Sequence, residues 1–255
     1  VLAVDGVDLS IPPNRIYGLL GPNGAGKTTT ISILTTLLEP TAGEAKVLGL
    51  DVVKQAGDVR QRVGVTFQEM VLDDELTGRQ VLDYHGRLYR MGKAERKAKT
   101  EELLALVELE EAAERKAKTY SGGMKRRINL AAGLIHGPKL LFLDEPTVGV
   151  DPQSRNHIFE SVLRLNRERG MSIVYTSHYM EEVETLCKRV AVVDHGELIA
   201  LDDVSALVAK HANDAVTIDF SGEQVAVEKH FAGRDEATVT RGRVLVRGEP
   251  VLSEL

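Results

Sequence analysis

Five short apolar runs punctuate the chain: RIYGLL (15–20), RVGVTF (62–67), KLLFLDE (139–145), MSIVYTS (171–177) and RVAVVD (189–194). Each is strand-sized and separated from the next by helix-patterned sequence, which predicts buried strands of a mostly parallel sheet in an α/β fold. Between the runs the apolar period lengthens. Ile31, Leu34 and Leu38 recur on a helical face after Lys27, and Ile128, Ala132 and Ile135 do so after Ser121. Asp151-Pro152 reads as a helix start, a capping Asp followed by Pro at the first position, and Arg169-Gly170 as its end. From Leu76 to Ala117 the pattern is helical only and dense in charge, which places a helical insertion at about residues 73–137.

After Leu201 the character changes. AVTIDF (215–220) and RVLVR (243–247) alternate apolar and polar residues, with a helical stretch from Gln224 to Phe231 between them. The reading divides the chain into a domain at 1–203 and a small α+β accessory domain at 204–255. The sequence stops at GEPVLSEL in mid-element, so the appendage reads as truncated.

Composition narrows the class. The 255 residues are 43% hydrophobic and 27% charged, ordinary for a soluble globular chain. A net charge of −6 argues against a nucleic-acid binder, which carries a basic footprint. Residues 87–127 run the other way, with 12 Lys/Arg against 7 Asp/Glu; a solvated helical face accounts for most of these. No apolar run approaches the ~20 residues of a bilayer span, and no signal peptide is visible. The chain opens on Val1, so its natural N-terminus is expected upstream. The single cysteine, Cys187, excludes an intrachain disulfide framework and reads as a small core residue.

The chemistry begins at GPNGAGKT (21–28), a G-x-x-x-x-G-K-[ST] stretch that follows a strand and opens a helix. Gly21, Gly24 and Gly26 let backbone N–H groups turn inward around phosphate oxygens, and the helix start adds its dipole. Lys27 reaches the β/γ-phosphates and the Thr28 hydroxyl ligates Mg²⁺. The candidate nucleotide-binding residues are Gly21, Pro22, Asn23, Gly24, Ala25, Gly26, Lys27, Thr28 and Thr29. KLLFLDEP delivers Asp144 at a strand end, where a carboxylate holds Mg²⁺, and Glu145 directly after it, placed to polarise an attacking water. Gln68 and His178 end two further strands, on the side where the ligand crevice of an open α/β sheet lies. TYSGGMKRR (119–127) sets a capping Ser121 and two glycines before three cations, an arrangement suited to an anionic guest.

GPNGAGKT, Gln68, YSGGM, LLFLDEP, VGVD and SHYMEE occur in the order and roughly the spacing of the ATP-binding subunits of ABC transporters. The resemblance covers about residues 1–200 and is closest to ATPases of bacterial drug-export systems, where YSGGMKRR replaces the commoner LSGGQ. It implies a P-loop NTPase fold of ABC ATPase type, with antiparallel N-terminal strands beside the parallel core. It also implies that Ser121, Gly122 and Gly123 grip the γ-phosphate of an ATP held by a second subunit. Asp151 links the two sites while capping its own helix, and Gln68 joins Thr28 and Asp144 around Mg²⁺. The catalytic set is then Glu145, His178 and Gln68. EMVLDDELT (69–77) resembles the surface that meets a membrane permease. Glu181, Glu182 and Glu184 read as ordinary acids of a first helical turn.

The implied partners are a second ATP-binding subunit, with a homodimer favoured over a heterodimer, and an integral permease. The implied place is the cytoplasmic face of the membrane; the insertion's Lys and Arg clusters face the permease or anionic headgroups, and no nucleic acid is expected. The aromatic ring on which relatives stack adenine has no counterpart from Val1 to Ile16 and is expected upstream. The competing reading is a soluble ABC-type ATPase clamping DNA or the ribosome, opposed by the acidic charge and the single ATPase module. A P-loop regulator without turnover is opposed by Glu145.

Overall fold

The structure is a computed structural model that describes residues 2–69, 72–211, 215–219, 237–240 and 243–247. The chain runs β1 (Ile16–Leu20), α1 (Lys27–Leu34), β2 (Lys46–Val47), β3 (Leu50–Asp51), α2 (Ala56–Arg62) and β4 (Val63–Thr66). There follow α3 (Gly78–Leu88), α4 (Lys93–Leu106), a 3₁₀ turn at Ala117–Thr119, and α5 (Gly122–Leu134). Then come β5 (Leu140–Asp144), α6 (Pro152–Arg169), β6 (Ser172–Ser177), α7 (Met180–Leu186), β7 (Arg189–Asp194) and β8 (Glu197–Asp203). The last elements are α8 (Val204–His211), β9 (Ala215–Asp219), β10 (Ala237–Thr240) and β11 (Arg243–Arg247).

Two units divide after Val204. The first holds a six-stranded sheet in the order β4-β5-β6-β1-β7-β8. Its first five strands are parallel and β8 joins the edge antiparallel to β7. Every residue of β5 and β6 is buried, as strands covered on both faces require. Phe142 and Val174 pack with Ile31, Val59 and Val63, while Tyr17, Leu19, Ala191 and Val193 form a second cluster around β1. Register aligns the functional ends of three strands: Asp144 of β5 lies opposite Thr176 of β6, and Ser177 opposite Leu20 of β1. The second unit carries the antiparallel sheet β10-β11-β9. The expected helix at Gln224 to Phe231 lies outside the described residues.

Antiparallel strands of the N-terminal part are the β2–β3 hairpin, turned by Leu48 (φ 52°) and Gly49 (φ 81°); among the described residues no strand precedes β1. Pro12 and Pro13 lack the N–H that a ladder needs. Asn14 takes the left-handed turn that the sequence allowed, at φ 60°. One expectation needs correction: the helix after Lys27 ends early. Thr35 Oγ1 bonds back to Ile31 O at 2.8 Å and Thr36 turns left-handed at φ 66°, so Leu38 falls outside α1 and is exposed.

Within the insertion, Thr77 and Gln80 close a capping box at the start of α3, an arrangement of about 1 kcal/mol. Its charges are largely self-paired. Glu75 holds Lys116 and Lys118, each at 2.7 Å, and the two ammonium groups lower its carboxyl to about 2. Asp74 takes Lys125, and Asp83 takes Arg87 and Arg96. These cations neutralise the chain's own carboxylates, which leaves fewer for a membrane surface than the sequence suggested.

His136 follows α5, stacked on Tyr89 with ring centroids 3.8 Å apart, and its Nε2 lies 3.0 Å from Val63 O. Burial pushes its pKa below the usual value, against the raising effect of the Val63 contact; burial lowers His85 too. The unfolded chain therefore binds more protons once pH falls below about 6.5, so stability is lost toward acid. Urea unfolding should show a midpoint that drops from pH 7.5 to 5.5, with a shallower drop in His136→Gln. An unaltered slope would mean that His136 titrates as a free imidazole.

Candidate functional site

The loop after β1 is locked to the sheet. Gly21 N donates to Ser177 O at 3.2 Å, and a Cβ on Gly21 would sit 2.2 Å from Val193 O, so only glycine fits. Gly24 and Gly26 adopt φ of 84° and 99°. Gly26 occupies the N-cap position of α1 with no side-chain cap, which leaves the first N–H groups of α1 without a side-chain partner, the arrangement that seats a phosphate. Pro22, Asn23, Gly24 and Thr28 are exposed, Thr29 is half-buried, and Ala25 is buried with its carbonyl accepting from Gly196 N.

Lys27 is buried at the centre. Its Nζ donates to Gly21 O (2.8 Å) and Pro22 O (2.9 Å) and lies 3.0 Å from Glu145 Oε1. Thr28 Oγ1 donates to Asp144 Oδ2 at 2.8 Å, and Thr176 Oγ1 donates to Asp144 Oδ1 at 2.7 Å. Asp144 is fully buried. Its carboxylate beside the Thr28 hydroxyl is a hard-oxygen donor set of the kind Mg²⁺ takes, so the residues fit the ion.

Glu145 carries a left-handed backbone (φ 46°), unusual for a side chain of its size, and Thr176 Oγ1 accepts its N–H at 2.9 Å. The turn aims its carboxylate back over the loop. Oε1 faces Lys27 and Oε2 lies 3.3 Å from His178 Nδ1. Lys27, Thr28, Asp144, Glu145 and His178 thus converge at the carboxyl ends of β1, β5 and β6.

The remaining predicted residues stand elsewhere. Gln68 follows β4 and is exposed, with its backbone fixed because Arg126 Nη1 donates to Phe67 O (3.0 Å) and Gln68 O (2.8 Å). Ser121 caps α5 by accepting from Met124 N at 3.2 Å. Gly122 is exposed with nothing within 4 Å of a notional Cβ, whereas a Cβ on Gly123 would lie 2.0 Å from Ser154 Oγ. Gly122 therefore offers an open backbone, and Gly123 serves close packing of α5 on α6. Among the described hydrogen bonds, none joins Ser121–Gly123 to the loop at 21–29. Asp151 caps α6 by accepting from Ser154 N at 2.9 Å.

The KRR run calls for a correction. Lys125 pairs with Asp74, buried Arg126 braces the Gln68 loop, and Arg127 donates to Val107 O and Glu108 O. These cations are internal ties, which a sequence reading of charge alone turns into an anion site. Another correction concerns Glu182. Glu181 in the first turn of α7 and Glu184 beyond it are exposed, but Glu182 is buried and accepts from three hydroxyls. A signal existed: Tyr175 and Ser177 place two hydroxyls on one face of a wholly buried strand, and buried donors need an acceptor. Tyr17 is 1% exposed within the core, out of reach of any base. Cys187 is buried and its thiol is pushed up to about 12, as a core residue.

The family profile described as ABC transporter matches residues 4–148. The chain is 46% identical over 213 residues to the linearmycin resistance ATP-binding protein LnrL of Bacillus subtilis, covering 84% of this chain and 68% of that one. It is 44% identical over 216 residues to a daunorubicin resistance ATP-binding protein of Streptomyces coeruleorubidus, covering 85% and 68%. A dimeric ATP-binding cassette solved in a post-hydrolysis state with ADP and Pi superposes with a TM-score of 0.72 at 26% identity, over 79% of this chain and 90% of that one. Among the described residues no helix is long and apolar enough to cross a membrane.

Proposed function

The chain belongs to the ABC transporter family, and from that premise we propose that it is the ATP-binding subunit of an exporter that expels drugs or antibiotics through a separate membrane permease. The observation that carries this reading is the convergence of Lys27, Thr28, Asp144, Glu145 and His178 at the carboxyl ends of three adjacent strands. Phosphates of ATP sit on the N–H groups of Gly21 to Thr29, and Lys27 trades its loop carbonyls for the β/γ-oxygens. Thr28 and Asp144, with Gln68, would hold Mg²⁺, and the ion when bound would supply positive charge to the phosphoryl group being transferred. Glu145 takes the proton of the attacking water, and His178 steadies the Glu145 carboxylate.

Ser121 and Gly122 complete the site of a second subunit, most simply another copy of this chain. The open backbone at Gly122 supports that reading, as does the absence of described bonds between Ser121–Gly123 and the chain's own phosphate loop. Asp151, at the start of α6, then lies between the two sites. Resistance named for the two relatives supports drugs or antibiotics as cargo.

Tagged Glu145→Gln protein, isolated from its own host in MgATP, should copurify with an integral membrane protein of several spans. Copurification with ribosomes or DNA instead would overturn the exporter reading in favour of a soluble clamp.

A further inference from the structure

Resting on this ATPase reading, we propose that Glu182 is a positioning residue of the hydrolytic site, tying the loop that carries Glu145 to the strand end that carries His178. Glu182 lies in the first turn of α7 yet is only 3% exposed. Its Oε1 accepts from Thr147 Oγ1 at 2.7 Å; its Oε2 accepts from Ser177 Oγ at 2.7 Å and from Tyr175 OH at 3.0 Å. Ser177 Oγ in turn accepts from Tyr179 N at 3.0 Å, so the residues on both sides of His178 are held through one hydroxyl. Thr147 stands two residues beyond Glu145 and is itself buried.

The placement explains why a carboxylate is worth burying there. The β5–β6 register ends at Asp144 opposite Thr176, and the bond from Glu145 N to Thr176 Oγ1 is its last rung. Beyond that point the two segments diverge, one into the Glu145–Val150 turn and the other into α7. The Thr147–Glu182–Ser177 bridge continues the connection past the strand ends, where the 3.3 Å contact of Glu145 with His178 has to be kept. An apolar side chain of similar volume would fill the space without the desolvation cost of a carboxylate. It could not collect three hydroxyls from two segments. Tyr175 remains a donor at neutral pH, because burial and the Glu182 charge both raise its phenol. Arg155 Nε, 3.8 Å from Oε1, adds a counter-charge at longer range.

The test is single-turnover hydrolysis beside MgATP binding, on the whole chain. Glu182→Gln keeps the shape but replaces one acceptor oxygen by a donor amide. It should slow the chemical step by about 10- to 100-fold, the scale of a small misplacement of reacting groups, with MgATP affinity unchanged. Added to Glu145→Gln, it should cost nothing further, because its effect passes through Glu145. Thr147→Val, equal in shape and lacking the hydroxyl, should give a smaller loss of the same kind and reads the bridge even if Glu182→Gln fails to fold.

Normal turnover in both variants overturns the assignment, as does a loss of turnover matched by a loss of MgATP binding, or a further loss on the Glu145→Gln background. These failures are distinct from failure of the ATPase reading, which would appear as wild-type protein without Glu145-dependent turnover and would take this proposal with it.

Discussion

Glu145→Gln is expected to bind MgATP and to hydrolyse it about 10²- to 10⁴-fold more slowly than the wild type, the usual worth of a positioned base. The geometry sharpens the binding half of this result. Lys27 and Glu145 are both buried, 3.0 Å apart, and the other described hydrogen bonds of the Lys27 ammonium go to the loop carbonyls of Gly21 and Pro22. Removing the carboxylate's charge releases the ammonium for phosphate and removes an anion from beside the γ-phosphoryl group. MgATP affinity should hold or rise. The left-handed backbone and the bond from Glu145 N to Thr176 Oγ1 do not depend on the side chain's charge, so Gln keeps the turn. Near-normal steady-state hydrolysis would remove Glu145 from the mechanism. Lost MgATP binding would assign it to holding the loop instead.

What was legible in the sequence follows from where the signal is physical and local. Runs such as LLFLD become strands because burial on both faces demands an unbroken apolar stretch. Asp151-Pro152 and Gly170 delimit α6 because cap, Pro and left-handed Gly act within one turn, and Gly170 takes φ 60°. The glycine-rich turn after β1 was legible for the same reason, since Gly24 and Gly26 take φ that other residues resist.

Less legible were features decided by a distant partner. β8 (ELIALDD) is a half-exposed edge strand with a weak alternation, and it is specified by its pairing with β7. Lys125, Arg126 and Arg127 look alike in sequence, yet one meets Asp74, one the Gln68 loop and one the end of α4's following turn. Glu182 differs from Glu181 only in which way it faces on α7. Its partners lie 5, 7 and 35 residues away, so the two are separated only by first reading β6 as a buried strand whose hydroxyls need an acceptor.

The second large effect tests whether the active site is shared between subunits. Lys27→Ala removes the ammonium proposed to bind phosphate. Gly122→Asp places a carboxylate on the open backbone at the start of α5. The structure favours Gly122 over Gly123 for this lesion, because Gly122 has nothing within 4 Å of its notional Cβ while Gly123 abuts Ser154. An acidic residue in a first helical turn is also favourable, so Gly122→Asp should fold as well as the wild type. Each variant alone should be inactive, since each homodimer lacks an intact composite site. In a mixed dimer one site inherits both lesions and the other inherits neither. Random mixing makes half of the dimers mixed, each with one good site of two, which gives at most about a quarter of normal activity if the sites fire independently. Coupling between sites can suppress continuous turnover, so the readout is a single-turnover burst after subunit exchange is confirmed. If Ser121–Gly123 served the ATP of their own subunit, every copy would carry a lesion and mixing would restore nothing. A missing burst in the exchanged mixture therefore overturns the shared site.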